Sequence, residues 1–325
     1  MSHRDPRDLR FPSLRLKHPI FTGWWYHIAR RGAQAMDQPA LVADYQCIVG
    51  EGPLWHPIEQ CVYWIDINDG RLFRYEPATA THALVHGPGD PIGGFTIQED
   101  GALLLFMARG AIRLWHQGTI RTVIEELPAE RHTRFNDVVA DPIGRVFCGT
   151  MATTHRPGRL YRLDPDGSLH IVLDRVTIPN GMDFSPDLRT FYFTDSSDRT
   201  IYAFDYDVTT GAVSNQRPLV VTPEGDGVPD GLTVDVEGCL WSARWDGSAV
   251  YRYSPTGELL DRLPLPARKV SSVTFGGENY RDLYITTAGG NQKEQEGWGA
   301  GGLFRWRAHV SGRAPFLSRI TAIRL

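Results

Sequence analysis

The stretch 61-CVYWIDINDGRLFRY-75 contains the pattern that decides the fold. Residues 61–67 form an apolar run rich in β-branched and aromatic residues, which is the composition that strands prefer. Asn68-Asp69-Gly70 is a tight-turn sequence, and residues 71–75 begin a second run of the same kind. Two such runs across a short Asp-Gly turn predict a β-hairpin.

Further hairpins of this type follow along the chain, and helical periodicity is hard to find from residue 40 onward. The pattern predicts strands at residues 190–194 and 200–205, and again at 240–243 and 249–253. The units recur at a nearly fixed period. The residues that open the first strand of each unit, spaced 42, 43, 44, 50 and 42 apart, are Glu51, Gly93, Asn136, Asn180, Asp230 and Ser272.

Six units of about 40 residues, each with the pattern of four strands, are typical of propeller blades. We therefore predict an all-β, six-bladed β-propeller that forms a single domain over residues 36–325. Residues 40–46 are expected to supply a strand beside residues 302–306 and so close the ring. The alternative architecture, one large β-sandwich or two small ones, is disfavoured by the regular spacing through all six units.

Residues at one register of the innermost strands form a ring about the propeller axis. Glu51, Asn136, Asn180 and Asp230 occupy that register, so four oxygen-bearing side chains are expected to converge there. Two buried carboxylates repel each other unless a cation lies between them. The pattern predicts a divalent metal site on the axis. The alternative is that these residues close turns, because Asn-Gly and Asp-Gly are strong turn dipeptides.

Several short segments also resemble the regucalcin/gluconolactonase family of six-bladed propellers, which includes luciferin-regenerating enzymes. The resemblance extends from about residue 42 to about residue 306. The matching segments, in chain order, are GEGPLW at 50–55, RFND at 134–137, GTM at 149–151, IPNG at 178–181, PDG at 229–231 and FGG at 275–277. Each segment is short, but together and in order they are specific.

The resemblance implies that Glu51, Asn180 and Asp230 bind the metal. It also implies that Arg134 and Asn136 face the oxygens of the substrate, with Asp137 nearby, and that Asp230 acts on the attacking water as the catalytic base. The implied reaction is metal-dependent hydrolysis of a small sugar lactone to the aldonic acid. Some relatives carry an acidic residue where this chain has residues 152–155, so that loop bears on substrate choice.

The oxygen ligands suit Ca²⁺, Mg²⁺ or Mn²⁺ better than a tetrahedral zinc site, and Ca²⁺ is slightly favoured over the others, zinc included. Two other functions remain open. One is a phosphotriesterase-type hydrolase that uses the same metal, and the other is a non-enzymatic calcium-binding propeller. Arg134 beside an open metal position favours an enzyme.

Composition limits the partners of the protein. The 325 residues carry a net charge of −4, but residues 1–35 hold seven Lys/Arg against two Asp, which leaves −9 on the rest. An acidic body argues against nucleic acid, which needs a clustered basic face. No apolar run reaches the length of a membrane span. A small-molecule substrate is therefore expected, with the protein a monomer or a weak homo-oligomer.

Four cysteines, Cys47, Cys61, Cys148 and Cys239, form no CxxC pair, so we expect reduced, buried thiols in a cytoplasmic protein. Residues 1–35 are expected to be an N-terminal extension, either disordered or the result of too early a start, with Met36 beginning the protein. A mitochondrial-type leader is the alternative, because the segment is basic but lacks the unbroken apolar core of a secretory signal.

Overall fold

A computed structural model describes residues 38–321, and these residues form six four-stranded antiparallel sheets. The predicted all-β, six-bladed propeller is confirmed. The expected extension at residues 1–35 lies outside the described residues. Helical structure in the described part is limited to three 3-10 turns, Pro128–Glu130, Glu278–Tyr280 and Gly290–Gln292, and one turn of α-helix, α1, Lys293–Glu296. None of these is long or apolar enough to cross a membrane.

Each of the first five blades is a meander of four consecutive strands, joined by turns of the predicted kind. Blades one and two comprise β2 Gly50–His56, β3 Cys61–Asp66, β4 Arg71–Glu76, β5 Thr81–His86, β6 Ile92–Ile97, β7 Leu103–Met107, β8 Ile112–His116 and β9 Thr119–Ile124. Blades three and four comprise β10 Phe135–Ala140, β11 Val146–Thr150, β12 Gly158–Leu163, β13 Leu169–Val176, β14 Pro179–Phe184, β15 Thr190–Asp195, β16 Thr200–Asp207 and β17 Ala212–Val221.

The sixth blade is closed by both ends of the described chain. Blade five comprises β18 Val228–Val234, β19 Leu240–Trp245, β20 Ala249–Tyr253 and β21 Leu259–Pro264; blade six comprises β22 Val270–Gly276, β23 Asp282–Thr287, β24 Gly302–Arg307 and β1 Ala40–Asp44. Strand β1 pairs antiparallel with β24, with Ala40 opposite Arg305 and Asp44 opposite Gly302. The predicted closing strand is therefore confirmed.

The first strand of every blade lies at the centre. These six strands contact one another in a complete ring, from β2 through β6, β10, β14 and β18 to β22 and back to β2. They are largely buried, whereas outermost strands such as β5 and β9 are mostly exposed. The ring register is therefore a property of the fold, and residues early in each first strand meet at one end of the axis, which we call the ring face.

Aromatic side chains fill the space between neighbouring blades. Phe147 of blade three lies 4.9 Å, centroid to centroid, from Phe191 of blade four, and Phe184 lies 5.2 Å from Phe191. All three are fully buried. Burying one phenylalanine contributes about 1.5–3 kcal/mol. Inter-blade packing of this kind holds the first strands at fixed spacing around the axis.

The segment that follows β24, residues 308–321, crosses the far face, the end of the axis where the first strands finish. Its Arg313 pairs with Asp183 near the end of β14, and the Ser318 hydroxyl lies 2.9 Å from the Thr96 hydroxyl near the end of β6. A cavity of about 100 Å³ remains on the axis, lined in part by Asp137, Asp183 and Arg313. The sequence pattern did not predict this crossing.

Candidate active site

All six first strands have a bulge close to the ring register. The pairing shifts between Glu51 and Leu54 in β2, between Asn180 and Met182 in β14, and between Pro229 and Leu232 in β18. The shifts in β6, β10 and β22 occur at the corresponding positions. A bulge bends the strand and turns its side chains out of the regular alternation. Side chains of the ring register can therefore point along the axis.

The Asn-Gly and Asp-Gly dipeptides lie inside strands rather than in turns. Asn180-Gly181 belongs to β14 and Asp230-Gly231 to β18. A Cβ on Gly181 would lie 2.4 Å from the backbone nitrogen of Leu232, so the glycine is needed for close approach of two first strands. The turn explanation therefore does not account for these two residues.

The carboxylates of Glu51, Asp230 and Asp137 interact at and just below the ring face, and the Arg134 guanidinium interacts with those of Glu51 and Asp230. Glu51 and Asp230 are buried, and Asp137 and Arg134 are partly buried. The amide of Gly52 donates to Oε2 of Glu51 at 2.9 Å. No donor in the described part of the chain reaches the buried Oδ1 of Asp230. With all four groups ionised the cluster has a charge of −2.

Burial and mutual repulsion disfavour ionisation of these carboxyl groups. Burial, with the charge of Asp137 next, raises the pKa of Glu51, and burial with the charges of Glu51 and Asp137 raises the pKa of Asp230 well above its usual value. Burial raises the pKa of Asp137 to about 6. Arg134 offsets part of the repulsion, although burial lowers its own pKa.

The residues fit a divalent cation. Glu51, Asn180 and Asp230 supply hard oxygen ligands, and the unpartnered Oδ1 of Asp230 is a buried atom that a cation would satisfy. A charge of +2 would balance the cluster. These three residues lie in the first strands of blades one, four and five, so no local turn links them.

A chain of hydrogen bonds fixes the two amide side chains of the site. Arg134 donates to Oδ1 of Asn136, and Nδ2 of Asn136 donates to Oδ1 of Asn180 at 2.8 Å. Nδ2 of Asn180 in turn donates to the Ser196 hydroxyl at 2.8 Å. Oδ1 of Asn180 therefore keeps one lone pair free for a cation, whereas Nδ2 of Asn180 is held by Ser196. Sequence reasoning missed Ser196, which lies outside the repeating register in the β15–β16 turn.

The predicted substrate-binding residues occupy different levels of the axis. Arg134 directly precedes β10, and its carbonyl accepts the amide of Met151 at 3.1 Å, which ties it to the loop after β11. Asn136 lies in the ring, and both of its amide hydrogens are used within the protein. Asp137 lines the axial cavity below the ring. Arg134 is thus the member of this group that joins the ring to the loop after β11.

A second acidic cluster lies elsewhere in blade five and has different chemistry. Ligand atoms of Asp235, Glu237 and Cys239 lie within 4.8 Å of one another. Both oxygens of Asp235 already accept hydrogen bonds, including those from Trp241 and Arg252. Asp235 therefore needs no cation, in contrast to Asp230.

The raised pKa values predict how pH affects the metal-free protein. The folded chain binds protons at Glu51, Asp137 and Asp230 more tightly than the unfolded chain, whose carboxyls titrate near pH 4. The contribution of these three groups to the stability of the metal-free protein is therefore expected to fall as pH rises from about 4 towards 8. A bound cation would remove this penalty, so Ca²⁺ should raise the melting temperature more at pH 8 than at pH 5. Equal stabilisation at the two pH values would contradict this prediction.

Together the fold and the ring define a six-bladed propeller with an axial cluster of oxygen-bearing side chains. The sequence model of the protein family described as SMP-30/Gluconolactonase/LRE-like region matches residues 49–289 of this chain. The chain belongs to this family.

Its similarity extends over nearly the full length of several relatives. The chain is 47% identical over 288 residues to a pentonolactonase of Haloferax volcanii, covering 86% of this chain and 97% of that protein. It is 34% identical to a 6-deoxy-6-sulfogluconolactonase of Pseudomonas putida, covering 82% and 94% of the two chains. Among solved structures, a luciferin-regenerating enzyme matches with a TM-score of 0.78 at 29% identity, covering 86% and 99%.

Proposed function

We propose that this protein is a hydrolase that opens a small sugar lactone to the corresponding aldonic acid with the help of one divalent cation. The observation that carries the proposal is the axial cluster itself, in which Arg134 interacts with the carboxylates of Glu51 and Asp230, and a buried oxygen of Asp230 has no donor among residues 38–321. A passive ion site would not require a half-buried arginine in the same cluster. Ca²⁺ remains slightly favoured over Mg²⁺, Mn²⁺ and Zn²⁺ on ligand type.

Each residue of the ring has a separate part in this proposal. Glu51, Asn180 and Asp230 hold the cation, and Asn136 holds the amide of Asn180 with its oxygen towards the ion. Arg134 meets the oxygens of the substrate, and the free lone pair of Asn136 Oδ1 accepts from a ring hydroxyl. Asp137, beneath the ring, contributes negative charge. When bound, the cation supplies the positive charge that polarises the lactone carbonyl.

Ring opening requires transfer of a proton as well as attack by water. The water oxygen forms a bond to the carbonyl carbon while Asp230 accepts the proton that the water loses. The bond between that carbon and the ring oxygen then breaks, and the proton passes to the departing oxygen, which becomes a hydroxyl group. Arg134 orients the substrate by charge-assisted hydrogen bonds, which are stronger than neutral ones.

The relatives indicate which lactones to test first. The 47% identical relative is named a pentonolactonase, so a five-carbon aldonolactone ranks ahead of six-carbon lactones for this chain. The loop after β11 is held by Arg156, which pairs with the buried Glu130. We propose that this loop, together with Arg134, forms the wall that selects among lactones.

The functional unit of the proposal is residues 36–325, acting as a monomer or weak homo-oligomer in the cytoplasm. All four cysteines are free and buried, which supports a reducing compartment. On this proposal a chain beginning at Met36 retains the fold and the activity of the full chain.

The proposal is tested by following hydrolysis of a pentonolactone, a hexonolactone and a phosphotriester side by side. Chelation should abolish turnover of the lactones, and single divalent cations should restore it to different extents. Full lactone turnover by protein shown to be metal-free by elemental analysis would contradict the metal requirement. A clear preference for the phosphotriester would contradict the substrate class.

Arg134→Ala separates substrate contact from metal binding. We expect kcat/KM for the lactone to fall about 10- to 100-fold, the size of one lost charge-assisted contact, without weaker metal binding. Arg131→Ala is the matched control, because Arg131 is an exposed arginine paired with Glu126 in the same connection. Loss of metal affinity in Arg134→Ala would instead assign the arginine to maintaining the ion site.

A further inference from the structure

The backbone carbonyl directly before each predicted metal ligand is held by a side chain of the preceding blade. The three hydrogen bonds are Ser271 Oγ to Gly50 O at 2.5 Å, Asn136 Nδ2 to Pro179 O at 2.8 Å, and Ser196 Oγ to Pro229 O at 2.7 Å. The residues that follow these carbonyls are Glu51, Asn180 and Asp230. The arrangement thus repeats at the three positions that are proposed to bind the ion.

Ser196 makes a second contact, with the side chain of the predicted ligand in its own blade, Asn180. Its hydroxyl accepts a hydrogen bond from Nδ2 of Asn180 while it donates to the Pro229 carbonyl. One buried hydroxyl therefore connects the Asn180 side chain of blade four to the backbone that carries Asp230 in blade five. Ser196 itself supplies no atom to the ring, because it belongs to the turn after β15.

We infer that Ser196 is a positioning residue for the axial cation, and that Ser271, through the Gly50 carbonyl, helps to fix the backbone that carries Glu51. This inference rests on the proposed metal site and goes beyond it by naming groups that do not contact the ion. Ser196 fixes both the orientation of the Asn180 amide and the distance between Asn180 and Asp230. Neither role follows from the family segments or from the ring register.

The Ser196 hydroxyl matters because it is an acceptor for the side-chain amide of Asn180. Without the hydroxyl, Nδ2 of Asn180 loses an acceptor inside a buried site, and only the hydrogen bond from Asn136 still fixes the orientation of the amide. The Pro229 carbonyl also loses its donor, so β18 is less firmly fixed next to Asp230. Partners that orient a metal ligand typically change metal affinity 10- to 100-fold when they are removed.

The test is calorimetric titration of Ca²⁺ and Mn²⁺ into metal-free full-length protein. Ser196→Ala is expected to bind about 10-fold more weakly than the wild type with unchanged stoichiometry. Ser197→Ala is the matched control, because Ser197 is the exposed neighbour in the same turn, and its affinity should equal that of the wild type. Ser271→Ala provides a second variant on the other side of the ring and should also bind more weakly.

A general loss of stability has to be separated from this specific effect. Ser242 is a buried serine of β19 whose hydroxyl accepts from Arg244 outside the ring. Ser242→Ala should lower the melting temperature of the metal-free protein without changing metal affinity. Weaker metal binding in Ser196→Ala, together with unchanged affinity in Ser242→Ala, would support the positioning role.

The possible outcomes distinguish this inference from the proposed function. If the wild type binds one cation but Ser196→Ala binds it equally well, the positioning role is wrong and the metal site stands. If the wild type binds no cation, both are wrong. If the wild type binds a cation that Ser196→Ala binds more weakly, yet no lactone is hydrolysed, the positioning role stands and the proposed activity fails.

Discussion

Replacing Asp230 with asparagine is expected to lower lactone turnover about 10²- to 10⁴-fold and, at the same time, to make the metal-free protein more stable. The loss of turnover follows because the variant lacks both a charged ligand and the proposed proton acceptor, and a positioned base contributes a factor of this size. Asparagine keeps the shape of aspartate, so the first strands of blades four and five should retain their packing.

The gain in stability has a separate physical cause. Asp230 is buried, its Oδ1 has no donor within residues 38–321, and its charge repels those of Glu51 and Asp137. Removing that charge should raise the free energy of unfolding of the metal-free protein by about 1–2 kcal/mol, because residues kept for function often lower stability. Thermal unfolding in the presence of a chelator measures this gain in stability without any contribution from the ion.

Asp235→Asn is the matched control in the same blade. Asp235 is equally buried, but it is paired with Arg252 and accepts hydrogen bonds from Trp241 and the backbone. The variant should therefore be less stable than the wild type, by about 1–3 kcal/mol. Loss of stability in both variants would show that Asp230 is a structural carboxylate, and the account of the ring would fail.

Periodicity made the architecture predictable from the sequence. The hairpin at residues 61–75 and its repetition identified β3, β4 and their counterparts, because turn residues and β-branched runs act locally. The closing strand was predictable as well, because an unpaired run near residue 40 needs a partner and the sixth unit lacked one. The four cysteines are free and buried, as expected.

The contacts that hold the ring residues in place were not predictable in the same way. The bulges beside Glu51 and Asn180 depend on pairing between strands, which no local pattern reports. Ser196 and Ser271 act across blade boundaries, and only the assembled ring brings them to the backbone of the next blade. The crossing of the far face by Arg313 and Ser318 similarly depends on contacts far apart in sequence.

The roles of Asn136 and Asp137 show the limit of transferring a motif. The resemblance implied that Asn136 faces the substrate with Asp137 nearby, and this stays a prediction. In the structure, Asn136 donates its two amide hydrogens to the Pro179 carbonyl and to Oδ1 of Asn180. Asp137 borders the axial cavity. Adjacent residues of a bulged strand point to different levels of the axis, so a four-residue segment does not act as one unit.

The central claim is that Glu51, Asn180 and Asp230 bind one cation together, and titration of metal into four proteins tests it most directly. The wild type, Asn180→Ala, Asp230→Asn and the double variant would each be titrated by calorimetry with the same divalent cation. One site per chain is expected in the wild type. Both single changes should weaken binding, and loss of the charged ligand should do so more strongly than loss of the neutral one.

The double variant shows whether Asn180 and Asp230 bind the same ion. If Asn180 and Asp230 act through one ion, the double change should cost less binding free energy than the sum of the two single changes, as residues in one network do. Strict additivity with unchanged stoichiometry would mean that the two residues serve separate blades, and a shared axial metal site would be contradicted.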